Sequence, residues 1–232
     1  MIEIRPFASL GAAEHGWLHA KHHFSFADYR DPKRMGWGAL RVWNDDEIDA
    51  GTGFAPHPHA DMEIVTYVRE GAITHQDSLG NRGRTEAGDV QVMSAGTGIR
   101  HSEYNLETRP TRLFQIWIEP AVRGEAPRWG TKPFPKRGRS GRFVALASGF
   151  AEDSEALPIR ADARVLGATL RAGETAEYRL QQGRRAYLVA TQGTLELNGF
   201  RVGERDGAAV HNEPLLQFTA IEDSELVLVD VT

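Results

Sequence analysis

A chain of 232 residues with formal net charge −5 and 41% hydrophobic residues has room for one large or two modest globular domains. That charge gives no general attraction to nucleic acid or to an acidic membrane surface. No apolar run reaches the roughly 18 residues that a helical membrane span needs. Cysteine is absent, which excludes disulfides, zinc–thiolate sites and thiol catalysis, so any metal must be held by His, Asp or Glu.

In chain order, Ile2 and Ile4 alternate with Glu3 and Arg5, a short half-buried strand pattern. MIEIRPF has no basic region followed by an apolar run, so it is not a Sec-type signal. With the lack of Cys, this fits a reducing, cytoplasmic compartment. HHFSFADYRDPKRMGWG is aromatic and, with Pro32 and Gly36, loop-like. Ala39 to Trp43 reads as a strand, whereas Asn44 to Gly51 (NDDEIDAG) reads as a turn or exposed loop whose carboxylates follow no metal-loop spacing. Strand signals then crowd together in EIVTYV, ITHQDS, DVQVM and RLFQIWI. Turns punctuate them at intervals of roughly 8–12 residues, which argues for a sandwich or barrel. Between Glu119 and Arg142 the composition turns Pro-, Gly- and Arg/Lys-rich. This stretch reads as a crossover lying solvated on the surface, or alternatively as a dock for an acidic partner. The strand rhythm restarts at Phe143 and runs to the end, with His211 the only imidazole, so a second transition-metal site is not expected there.

Two short pieces carry the chemistry: HPHADME (His57 to Glu63) and GIRHSEYN (Gly98 to Asn105). His57 and His59 are two apart, as are His101 and Glu103, and residues two apart on a strand point to one face. Alone, the first pair suits a solvated loop held extended by Pro56 and Pro58. Together the two pairs suit a divalent transition metal with one or two coordination positions open, a richer set than the two-His, one-carboxylate triad of oxygen-activating iron. Strand parity leaves Glu63 on the same face as His57 and His59, so a regular strand does not decide between the two carboxylates.

The phrases FADYRDPKRMGWG, HPHADMEIVTYVREG and SAGTGIRHSEYN resemble those of the pirins, a family of the cupin superfamily. The first cupin motif is matched by Gly53, His57, His59, Glu63 and Gly71. The second is matched by Gly88, Gly96, His101 and Asn105, with Ser94 where cupins at large carry Pro. The resemblance is dense from about residue 22 to 118 and thinner beyond. It implies an all-β bicupin of two β-barrel or sandwich (jelly-roll-like) domains: 1–132 binding metal, 133–232 a degenerate cupin. It also implies one divalent transition metal on His57, His59, His101 and Glu103, with iron(II) first and nickel, cobalt, manganese, zinc or copper as alternatives. Glu63 is then a buried carboxylate that supports the ligands or accepts a structural hydrogen bond.

Some bacterial pirins are similar to quercetin 2,3-dioxygenases. That likeness implies an aromatic or polyphenol substrate and dioxygen, cleavage of a flavonol with release of carbon monoxide, and Glu103 as catalytic base, with Glu63 as fallback. Phe24, Phe26, Met62, Met93, Phe114 and Ile116 are candidate walls of the flat substrate slot. The alternative from the same family is a metal-dependent protein-interaction or transcriptional cofactor without turnover. A monomer with no membrane attachment and no direct nucleic-acid contact is expected.

Overall fold

The computed structural model describes residues 1–232. It is built of antiparallel strands, with two short 3-10 helices as its helical pieces. Twelve strands precede residue 135. In order they are β1 (Ile2–Arg5), β2 (Gly11–Glu14), β3 (Leu18–His22), β4 (Leu40–Ile48), β5 (Gly53–His59) and β6 (Glu63–Glu70). These are followed by β7 (Ala72–Asp77), β8 (Arg82–Glu86), β9 (Val90–Ser94), β10 (Ile99–Tyr104), β11 (Thr111–Ile118) and β12 (Arg128–Lys132). The chain divides into two compact units. One is Gly11–Phe134 with Leu157–Ala161; the other is Met1–Leu10, Pro135–Ala156 and Asp162–Thr232.

The first unit pairs a seven-stranded sheet, ordered β12-β9-β6-β11-β4-β3-β2, with a four-stranded sheet, ordered β5-β10-β7-β8. Both are cupin-like sheets that do not close into a true barrel. Two apolar clusters join them. Leu18, Ile48, Val68 and Leu113 of the large sheet meet Ile73 and Phe54 of the small one, and Ile64 and Met93 meet Ile99. Burying such side chains stabilises by about 1.5–3 kcal/mol each.

Two local features set the site's frame. At Gly53 a Cβ would lie 2.2 Å from the Glu103 carbonyl oxygen, so only glycine lets β5 come this close to β10. Between β5 and β6 the chain turns through Asp61, at φ +48, and passes from the small sheet to the large one. The face shared by His57 and His59 therefore does not extend to Glu63.

The acidic segment departs from its sequence reading. Asn44 to Ile48 is not a turn or exposed loop: it completes β4, a strand paired on both sides, by β3 and β11. Asn44, Asp45 and Asp46 are buried. Asp45 turns outward from the unit's interior and pairs with Arg69, whose guanidinium also lies 4.8 Å from the Phe114 ring. Pairing from both neighbours outweighs the polar composition from which a loop was read.

The basic stretch is likewise not a solvated linker along its length. Arg128–Lys132 forms β12 against β9, and Arg128 donates to the Pro158 carbonyl at 2.8 Å.

In the second unit, Arg139 is buried and donates to Glu225 at 2.9 Å. One of this unit's sheets runs Ile2–Arg5, Gly207–His211, Arg185–Gln192, Ser224–Val231, Ala163–Leu170 and Val144–Ser148. The other runs Thr175–Arg179, Leu215–Ala220, Leu195–Leu197 and Phe200–Val202. Leu188, Leu195, Leu216, Phe218, Leu226 and Leu228 fill the space between them. This is a packed apolar core.

Candidate metal centre

Antiparallel pairing sets His57 directly opposite His101 and His59 opposite Ile99, so the three imidazoles share one face of β5 and β10. Their ring centroids lie 4.4 Å (His57–His101), 4.8 Å (His57–His59) and 5.0 Å (His59–His101) apart. His57 donates Nδ1–H to the Ala55 carbonyl at 2.8 Å, which leaves its Nε2 lone pair free, and that atom faces Nε2 of His101 at 3.1 Å. Burial, reinforced by the neighbouring rings, depresses His59 to about 4 and His101 to about 2. Both are neutral near pH 7, with lone pairs to give. One nitrogen from each of the three residues falls within a 4.8 Å group. Converging neutral imidazole lone pairs are the donors that a divalent transition metal takes, which makes the trio a candidate for such a site.

Glu103 stands differently. It is buried beside His101, but the compact group it joins is with His101 and His75, not with His57 and His59. Two causes are visible. The β10–β5 ladder shifts register between His101 and Glu103. The carboxylate is also drawn toward the large sheet by Gln91 Nε2 at 2.5 Å, Gln115 Nε2 at 2.6 Å and the Thr66 hydroxyl at 3.4 Å. Burial raises Glu103 to about 7 in spite of these donors. Each carboxylate oxygen has two lone pairs, so acceptor capacity remains beyond the amides.

Glu63 lies elsewhere. It is buried, accepts from the Ser94 hydroxyl at 2.6 Å and belongs to neither His grouping.

His75 and Asp77 back the cluster. Asp77 Oδ2 takes the Nε2–H of His75 at 3.1 Å, so His75 Nδ1 is an acceptor, facing Nδ1 of His101 at 3.5 Å. A proton on His101 Nδ1 leaves its Nε2 lone pair for the cluster, the ordering that outer partners impose on ligating imidazoles. The indole of Trp129 stacks on His75 at 4.8 Å, only 7° from parallel, and crosses Gly83, where a Cβ would meet the ring at 2.2 Å.

The cluster opens onto a chamber of about 420 Å³ inside the first unit. Its walls are largely apolar, with Trp17, Leu18, Phe26, Phe54, Ile64 and Trp117 among them. His22, Asn44, Asp46 and Gln115 join the three histidines and Glu103 on the lining. Of the six wall candidates read from the sequence, only Phe26 lines it. Phe24, Phe114 and Ile116 are core side chains with no exposed surface, and Met93 packs with Ile64 and Ile99, with Met62 against that cluster. The alternation along β11 places Trp117 and Gln115 inside and Phe114 and Ile116 on the other face. His75 also escaped the sequence reading, although His75 and Asp77 repeat the two-residue spacing of the other pairs.

The pirin family profile matches residues 4–118, and a profile described as the quercetinase C-terminal cupin domain matches 145–231. A pirin-like protein of Caulobacter vibrioides is 68% identical over 230 residues, covering 99% of each chain. The chain belongs to the pirin family. A protein named quercetin 2,3-dioxygenase from Escherichia coli K12 is 42% identical to this pirin over 232 residues, covering 100% of it and 99% of the relative. The bacterial pirin YhhW of Escherichia coli, solved in complex with nickel(II), matches it with a TM-score of 0.93 at 42% identity. That match covers 100% of this pirin and 99% of YhhW.

Proposed function

We propose that this pirin is a metal-dependent dioxygenase that cleaves a flavonol such as quercetin, inserting both atoms of dioxygen and releasing carbon monoxide. One observation carries the reading: the histidine cluster and Glu103 wall the same chamber as Trp17, Phe26, Phe54 and Trp117. A volume near 420 Å³ lies in the range of small-molecule pockets. Likeness to proteins named quercetin 2,3-dioxygenase, and to a pirin that binds nickel(II), supports it.

In this reading His57, His59, His101 and Glu103 hold the metal. Bound there, a metal would supply Lewis acidity toward an enol or phenol oxygen and support the oxygen chemistry. The indole and phenyl walls keep the flat substrate flat and keep water from it. Glu103 would take the hydroxyl proton of the substrate, and the amides of Gln91 and Gln115 keep its carboxylate in place. An apolar chamber of this size beside the cluster supports the enzyme over the rival reading, a partner-binding cofactor.

The test is metal-reconstituted protein with quercetin in air. The expected result is loss of the flavonol absorbance with stoichiometric carbon monoxide, abolished by chelation. Stable absorbance with iron, nickel, cobalt, manganese, copper and zinc alike would overturn the reading.

A further inference from the structure

Apart from Asp46, the buried carboxyl groups of the first unit all have partners. Glu63 is bonded to Ser94, Asp77 to His75 and Asn81, Glu103 to Gln91 and Gln115, and Asp45 to Arg69. Asp46 is the exception. It is 2% exposed, its Oδ1 accepts no hydrogen bond, and it lies on the chamber wall. An unbonded buried polar atom costs about 1–3 kcal/mol and calls for an explanation.

The surroundings of Asp46 are polar in an ordered way. Register along β4 sets Asn44 opposite both His22 of β3 and Gln115 of β11. His22 donates Nδ1–H to Asn44 Oδ1 at 2.8 Å, and Gln115 donates to Glu103. Asp46 follows two residues after Asn44 on the same face of the strand. A polar strip thus runs from Glu103 along the wall to a carboxyl that has nothing to bond. Trp117, on the same lining, has an indole N–H that is also buried and without an acceptor.

We propose that Asp46, with the His22–Asn44 pair beside it, is a second polar anchor of the chamber, binding a hydroxyl group of an aromatic substrate whose reacting oxygen sits at the histidine cluster. The proposal rests on the chamber's being a substrate site and adds the residue that would select, within that substrate class, for a second hydroxyl. A hydroxyl suits the position because it donates to a carboxylate and accepts from a carboxylic acid. The second case bears on Asp46, whose carboxyl burial raises well above the usual range. Asp45 and Glu103 raise it further, and Arg69 opposes them. A site built around a hydroxyl rejects the analogue lacking it, because its own polar group is then left unbonded.

Anaerobic binding of flavonols to the metal-loaded protein, read by quenching of the tryptophan fluorescence to which Trp17 and Trp117 contribute from the chamber wall, tests this without turnover. Quercetin is compared with flavonols that each lack one hydroxyl. Wild-type protein is expected to bind at least one of these about tenfold or more weakly than quercetin. In Asp46→Ala that ratio collapses toward one, and Asp46→Asn, which keeps a carbonyl acceptor and the shape, retains part of it. Both variants keep one metal per chain.

The anchor is refuted by wild-type protein that treats all the flavonols alike or binds none, by an unchanged ratio in both variants, or by metal lost along with the ratio. Failure of the dioxygenase reading registers separately, as tight anaerobic binding of quercetin by the wild type with no oxygen consumption once air is admitted.

Discussion

His101 is where the demands on single residues meet. It faces His57 through Nε2 and His75 through Nδ1, and burial keeps it neutral. We predict that His57→Ala and His101→Ala each abolish stoichiometric metal in anaerobically reconstituted protein, read by elemental analysis. His75→Ala leaves the proposed ligands in place but frees the His101 ring, so affinity by chelator competition falls about 10–100-fold.

Glu103 sets the pH dependence. Its carboxyl is raised from 4.5 to about 7, so below pH 7 a metal that it ligates must displace a proton. Affinity then falls as pH is lowered, by about tenfold per unit below about 7, and levels off above it. His59 and His101, depressed to about 4 and 2, hold no proton in that window and add no slope. Glu103→Gln is expected to lower the slope by the share of one proton; the same slope in the variant means that Glu103 is not a ligand. Glu63→Gln is expected to keep its metal, and loss of metal from that variant alone would exchange the roles of the two carboxylates.

At the scale of elements, the site depends on how closely β5 and β10 approach. Their ladder brings His57 across from His101, and Gly53 is the residue that permits it. Gly53→Ala drives a methyl into the Glu103 carbonyl. It is expected to cost about 1–3 kcal/mol in urea denaturation, with weaker metal binding because the two strands part where the proposed ligands sit. Strand β4 shows how pairing overrides composition. Asn-Asp-Asp in isolation favours a turn, yet β3 and β11 pair with it on both sides and take it into the unit. The strand of ITHQDS was legible, but not that its His and Asp would back the cluster, since that depends on β7 lying beside β10.

At the scale of the whole molecule, the two units use one style of double sheet for different ends. The first keeps a chamber between its sheets, and the second fills the corresponding space with leucine, valine and Phe218. Removing a large side chain from that filled core, as in Phe218→Ala, is expected to cost about 3–5 kcal/mol of stability. Metal content per folded chain is expected to stay at one, because the proposed ligands lie outside that unit. Denaturation curves paired with elemental analysis read both quantities.

The sequence by itself determined the all-β architecture, the His pair at 57/59 with His101 as its candidate companion, and the lack of a comparable set of histidines in the second half. Alternation, turn residues and ligand spacing are local properties that survive without knowledge of the fold. Only the tertiary structure decided which carboxylate lies beside His101, which aromatic rings wall the chamber and that Asp46 is inside it. Those outcomes depend on which strands become neighbours and where a ladder slips. A period of two gives the relation between neighbouring side chains but not which of the two faces is inside.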